Sequence, residues 1–468
     1  MTEDSVPISI TINVGNEKIQ YQKPVAYGAL EDTVQNLALE IGRRIFQASI
    51  QDIDNRMVLA VPKTWRNAGT EERCLISSLG PVQYKRRIYL DEQRKRRKPL
   101  DELLGVRRYG RMSGRVQEMG SYLACNGTYR QAADQLSWLL KTPISHSSIQ
   151  RMAWTIGNRI ADGEEAQRKR IFENGEQQEP GKITAPVLYG ESDGVWVHLQ
   201  REKRRSAEVR VAILSTGRKQ IGKDRFRLEN KHCITAIGLN SEMWQERVLL
   251  EAHLCYNLEK TKLLICGGDG NQWVRRTFDR MQVPQEFVLD RFNLQRAAKR
   301  AFEDREAAKD YVSRLQLQGF ESVQPDLRKL IQQSCGKRKE KLKDFYRYIH
   351  HGQDGLLDLK VRGYSLPAYL GAIEGNVDKL VVHRMKGRGC SWRLSGVRAM
   401  LALCRNADQL RHHAYQYLPL QMPEHSYRRL PNLEVKYSET YQYTMPIFQG
   451  PHQNKPWVRS LHFLIHGR

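Results

Sequence analysis

LYGESDGVWVHLQ, residues 188–200, decides how the rest of the chain is read. Val195, Val197 and Leu199 alternate with Trp196 and His198, the period-2 pattern of a strand that buries one face. Asp193-Gly194 stands between this strand and the apolar run 183–188, so two strands are expected, separated by an aspartate. A carboxylate at such a place is costly unless hydrogen bonds or a cation meet it.

Working downstream, strand patterns recur at 208–214, 233–239, 247–252, 263–266 and 287–289, with a helix expected at 272–281. Strands in a meander, then strands alternating with helices, describe an α/β fold with a mixed sheet and helices on its faces. This core should span 181–293 and resume at 366–404, after an all-helical, highly charged insertion at 294–365. Helices are expected from Glu374 to Met385 and over 392–403. The tail, 405–468, carries weak strand signals at 435–443 and 461–465.

Upstream, 1–110 reads as a lead-in, a packing helix over 30–57 and a hairpin over 74–90 that turns at Gly80-Pro81. The hairpin's returning strand holds Lys85, Arg86 and Arg87, and Arg94, Lys95, Arg96, Arg97 and Lys98 follow, a pattern that suits phosphate contact or a solvated face. In the helical region 111–170, Thr128 and Ser145 are placed to cap two helices joined by a short turn. A helix-turn-helix whose second helix exposes Gln150, Arg151, Asn158 and Arg159 fits, and so does an ordinary helical hairpin. Residues 161–181, charged and turn-rich, read as a linker.

The charge narrows the partner. Lys and Arg number 76 against 52 Asp and Glu, a formal charge of +24, which points to nucleic acid. No apolar run approaches bilayer length, so a cytoplasmic, nucleoid-associated protein is expected, with no membrane partner. Eight cysteines without a CxxC pair give no disulfide framework or zinc ribbon. His232, Cys233, His253, Cys255 and Cys266 form the one arguable soft-metal cluster, in segments where cysteine commonly serves as a small core residue.

Three carboxylates carry the chemical argument. Asp193 and Asp269 (LLICGGDGN, 263–271) each follow an apolar strand and precede glycine, which presents a carboxylate at a sheet edge and is also the commonest turn dipeptide. Glu374 stands on a helical stripe with Val377, Val381, Val382 and Met385, a face expected to meet the core, with Asp378 its rival one turn on. Carboxylates gathered at one site repel and raise each other's pKa unless divalent cations hold them ionised. Hard oxygen ligands suit Mg²⁺ or Mn²⁺, and two such ions about 4 Å apart serve in-line phosphoryl transfer.

LYGESDGVWVHLQ, LLICGGDGNQW, EFVLDRFNLQRAA and IEGNVDKLVVHRMKGRGCSWRLSGVRAML, in that order, resemble the ISLre2 family of insertion-sequence transposases, distantly related to the IS256 and Mutator-type DDE enzymes. GPVQYKRRIYLDE, LDELLG and TYRQAADQL extend the likeness, so that it covers about residues 75–405. The resemblance implies an RNase H-like core with Asp193, Asp269 and Glu374 as catalytic acids and ligands of two Mg²⁺ or Mn²⁺ ions. It implies double-stranded DNA as partner, both terminal inverted repeats and target, and a homo-oligomer on that DNA. Asp290 matches a further family aspartate, and a rival second ligand, but Asn293 stands where that motif has histidine. Trp392 has two readings, stacking on a displaced base and packing in the core. A nuclease without strand transfer and an inactive DNA-binding derivative are the alternatives.

Overall fold

In the computed structural model, residues 5–14, 17–26, 30–104, 106, 110–223, 225–366, 369–387 and 389–416 are described. The expected strand signals at 435–443 and 461–465 lie outside them. The lead-in is an antiparallel pair, β1 (Ser5–Val14) and β2 (Glu17–Ala26), followed by α1 (Leu30–Met57). The expected hairpin is longer than its apolar pattern: β3 (Arg66–Ser77) and β4 (Gly80–Leu90), with β5 (Arg96–Arg97) added and α2 (Pro99–Leu103) beside it. Every second residue at the start of β4 is buried, and Val82 and Tyr84 pack with Ile50, Met57, Leu75 and Leu100.

Three helices come next: α3 (Gly114–Asn126), α4 (Tyr129–Leu140) and α5 (His146–Phe172). Both expected caps form. Thr128 and Gln131 make a reciprocal capping box, and the Ser145 hydroxyl accepts from the Ser148 N–H. The expected linker begins too early, because α5 continues to Phe172. Its Arg168, 95% buried, ties that extension down through Glu165, Glu173 and Glu246, so charges in the stretch read as a linker serve packing.

The main sheet contains β6 (Val187–His198), β7 (Ser206–Ser215), β10 (His232–Ile237), β11 (Leu263–Gly268) and β12 (Gln285–Leu289) in the order β10-β7-β6-β11-β12. β7 lies between β10 and β6 and is antiparallel to both, while β11 and β12 run parallel to β6. Between β7 and β10 the chain makes a ribbon with no clear period, β8 (Gly217–Gly222) and β9 (Arg225–Glu229).

The strand expected at 247–252 is instead the end of a helix, α6 (Ser241–Cys255). The Asn240 side chain caps it, and Trp244, Val248 and Ala252 bury one stripe at a spacing of four. Helix α7 (Gln272–Arg275) is shorter than expected, passing into a 3₁₀ turn at Asp279–Met281. The insertion is all helical, as its pattern suggests: α8 (Arg291–Ala301), α9 (Arg305–Gln318), α10 (Gln324–Gln333) and α11 (Gly336–His351) enclose their own core of Leu294, Val312, Leu315, Leu342 and Phe345. Beyond it, α12 (Ile373–Val377) continues through a π turn, Asp378–Val382, into α13 (His383–Met385). Last come α14 (Leu394–Arg405) and α15 (Leu410–Gln416). A Cβ on Gly157 of α5 would lie 2.1 Å from the Ala399 carbonyl oxygen, so glycine permits the close seating of α14.

Candidate active site at the sheet edge

Asp193 does not break the strand. β6 runs through it without interruption, and Asp193 pairs with Val211 of β7. The glycine after it serves packing rather than turning: a Cβ on Gly194 would come 2.6 Å from Glu208 Oε1 and 2.9 Å from the Trp273 ring. At Asp269 the turn reading holds, since Gly270 takes a φ of +88°.

The register assembles the acids. Gly267 of β11 pairs with Glu191 of β6, and Gly268 with Leu289 of β12. Two steps further along β11, Asp269 falls level with Asp193, and one step further along β12, Asp290 falls level with Asp269. Successive members of this row sit on strands about 4.8 Å apart. The Asp290 N–H donates to the Gly268 carbonyl at 2.9 Å, which fixes Asp290 against the end of β11.

Side chains alternate along β6, so Glu191, Asp193, Val195 and Val197 share one face. Val195 and Val197 pack in one core with Ile373, Val377, Val381 and Met385 of the α12–α13 helix. Glu191 joins the helix to the strand. Its carboxylate is 96% buried and accepts from the backbone N–H groups of Gly371, Ala372 and Ile373 at 2.6, 3.1 and 3.3 Å. It therefore satisfies the free donors at the start of α12, where the helix dipole favours an anion. Sequence reading missed it, although its position two residues before Asp193, on the same strand face, was a usable signal.

Glu374 is displaced from its expected environment. The buried stripe of the helix is Ile373, Val377, Val381 and Met385, while Glu374 and Asp378 are exposed beside it. The expected apolar members Val377, Val381 and Met385 are buried and Val382 packs against them, but Ile373 rather than Glu374 completes the stripe, so Glu374 needs no partner in the core. From the first turn of α12 its charge still acts on Asp193. Burial first, and then the charges of Asp269, Asp290 and Glu374, push Asp193 up to about 6, against the single N–H of Gly194. Asp269 also rises, through burial and the charge of Asp290, although Asn271 donates to it from its backbone and its amide. Among the described residues, none of Asp193, Asp269, Asp290 and Glu374 forms an ion pair.

Asp290 caps α8, accepting from the Phe292 N–H at 2.7 Å and the Asn293 N–H at 3.4 Å. The Asn293 amide donates to Asp290 Oδ2 at 3.1 Å while its oxygen accepts from Arg296 at 2.6 Å. Tyr348 of α11 brings the insertion to the row. Its hydroxyl is buried without a hydrogen-bond partner, and burial with the charges of Asp290 and Asp269 pushes its pKa up.

The donors fit hard divalent cations in type: carboxylate oxygens, unpaired, with a protonation cost that a cation would reverse. As they stand, no three His, Cys, Asp or Glu side chains among the described residues are grouped tightly enough to hold an ion, so binding would have to draw them together. The arguable soft-metal residues are otherwise engaged. His232 bonds Glu251 at 2.8 Å, His253 bonds the Gln178 carbonyl at 2.9 Å, and Cys266 is buried among apolar side chains.

The basic residues divide sharply. Arg86 is 96% buried, paired with Asp101 and Glu71, and cannot meet a phosphate. Arg87 pairs with Asp54, Arg97 with Asp91 and Lys98 with Glu71. Lys85 is exposed, 3.6 Å from Glu72, and Arg94, Lys95 and Arg96 are exposed. On α5, Arg151 is exposed, whereas Gln150 and Arg159 are half-buried. Trp392 is 94% buried: its indole N–H donates to the Met385 carbonyl, and the Arg384 guanidinium lies 4.8 Å from its ring centre. Among the described residues no helix is long and apolar enough to cross a membrane.

No curated protein matches the chain. The family model of an uncharacterised protein family, UPF0236, matches residues 22–411, and the chain belongs to that family.

Proposed function

We propose that this chain is a DDE-type DNA transposase of an insertion sequence, acting by divalent-metal-dependent cleavage and strand transfer. The observation that carries this reading is the row of carboxylates without ion pairs, Asp193 within β6 and Asp269 and Asp290 just past the ends of β11 and β12, with Glu374 on the helix that Glu191 anchors beside it. The sheet order supports an RNase H-like core: three antiparallel strands with two more parallel to the first, and the helical insertion between the fifth strand and the acid-bearing helix. The likeness to ISLre2 transposases adds the assignment of Asp193, Asp269 and Glu374 as the triad.

In this reading Asp193 and Asp269 present oxygens from the sheet, Glu374 presents one from α12, and Glu191 holds α12 in register with β6. The triad would hold two Mg²⁺ or Mn²⁺ ions, which would supply charge neutralisation for in-line phosphoryl transfer. Asp193 must shed its proton to serve as a ligand, so binding strengthens above pH about 6. The charge of +24 supplies the attraction for double-stranded DNA, with Arg94, Lys95, Arg96 and Arg151 as exposed phosphate contacts, and two or more copies act on paired DNA ends.

DNA carrying the inverted repeats that flank the gene, incubated with Mg²⁺ and a target plasmid, tests the reading. Cleaved and joined products are expected from wild type and neither from Asp193→Asn. Cleavage without joining would make the protein a nuclease, and DNA binding without metal-dependent cleavage would make it a binding protein.

A further inference from the structure

The β8–β9 ribbon is absent from the sequence-level account and absorbs none of the roles above. It is a two-stranded excursion from the connection between β7 and β10, and its outer residues are exposed, including Ile221 at 61% and Phe226 at 54%. Its cations are Arg218, Lys219, Lys223, Arg225 and Arg227. Arg218 is half-buried, donating to the Leu370 carbonyl at 3.3 Å and lying 5.6 Å from the Phe226 ring centre. Among the described residues, the other four form no ion pair. Lys219 and Arg227 face each other directly across the two strands. Like charges so placed destabilise a ribbon, and an anion between them reverses the sign.

The base of the ribbon is fastened where Glu374 begins its helix. Arg218 holds the Leu370 carbonyl, Lys231 donates to Asn376 Oδ1 of α12 at 3.0 Å, and the Asn230 amide donates to Thr216 Oγ1 at 2.9 Å across the ribbon's neck. Ser215, immediately before the neck, pairs with Tyr189, four residues before Asp193 on β6. That separation, about 13 Å along the strand, sets the neck of the ribbon beside the carboxylate row.

We infer that the β8–β9 ribbon is a DNA-binding arm that seats in a groove of a B-form duplex and delivers the phosphodiester backbone toward the carboxylate row. A two-stranded ribbon fits the major groove, about 12 Å wide, and the unneutralised pair Lys219/Arg227 supplies charge complementarity to phosphate. Ile221 and Phe226 offer apolar contact to sugars and thymine methyls. This inference rests on the reading of the protein as DNA-binding, and its test does not use catalysis.

Binding of a 30-base-pair duplex without divalent ions, measured by fluorescence anisotropy over a salt series, separates the possibilities. The double variant Lys219→Ala/Arg227→Ala should melt no lower than wild type, bind several-fold more weakly at moderate salt, and lose about 2 from the slope of log affinity against log salt. Asp193→Asn should keep the full slope, so failure of the catalytic reading leaves this one standing. An unchanged slope in the double variant would overturn the arm. So would an unchanged slope with an altered sedimentation coefficient, which would make the ribbon a contact between copies of the chain.

Discussion

The two charged regions of the molecule, the acidic row at the sheet edge and the basic hairpin of β3 and β4, are built on opposite terms. In the hairpin, opposite charges are matched internally. Asp101 lies buried between Arg73 and Arg86, Asp54 holds Arg87, and Lys98 with Arg86 holds the Glu71 carboxyl down at about 2. In the row, like charges stand side by side and form no ion pair among the described residues, and Asp193 is pushed up to about 6. Charge matched inside the fold secures structure, while charge left unmatched is available to a ligand. A run of lysines and arginines in a sequence does not say which kind it is.

This contrast can be broken most forcefully at the row. Asp193→Asn, Asp269→Asn or Glu374→Gln should each cut metal-dependent DNA cleavage by about 10⁴-fold, about 5 kcal/mol of transition-state stabilisation, while duplex affinity changes less than twofold. Retention of more than a tenth of wild-type cleavage would remove that residue from the triad. Asp101→Ala should instead cost stability, about 3 to 5 kcal/mol in denaturant unfolding, because it strands two buried guanidinium groups.

A third effect has the opposite sign. The folded pKa of Asp193 lies above its unfolded value near 4, so the native chain takes up the proton first and ionisation costs stability as pH rises from about 4 to about 6. Asp193→Asn should therefore be more stable than wild type at pH 7, by about 1 to 2 kcal/mol after allowing for partial exposure, with the gain vanishing near pH 4. Thermal melts across that range would check it, and a destabilised variant at pH 7 would contradict the unmatched row. The smallest effect is expected at Arg94 and Arg96, where alanine should leave stability within about 0.5 kcal/mol and lower the salt slope of DNA binding by about 1 each.

Features set by local chemistry were legible in the sequence. Thr128 and Ser145 cap the helices they were assigned, and the 294–365 insertion is helical because its apolar residues recur at helical spacing. Where local pattern was ambiguous, tertiary packing decided. The run at 247–252 offers a short apolar core, Val248, Leu249 and Leu250, that could read as a strand, yet Asn240 and the Trp244–Val248–Ala252 stripe draw it into a helix. The acids themselves were legible, but their relation was not. Only the strand register reveals that Asp290 shares a row with Asp193 and Asp269, and that Glu191 clasps the helix bearing Glu374. The ion pairs that occupy Arg86 and Arg87 join residues up to 33 positions apart, beyond any local pattern.

Mn²⁺ binding at pH 8, followed by electron paramagnetic resonance on wild type and Asp193→Asn, tests the central claim most directly. Two ions per chain in wild type, with affinity weakened at least tenfold by the substitution, is the result expected of a carboxylate row built for divalent cations. Binding that is absent from wild type, or unchanged by the substitution, would contradict it.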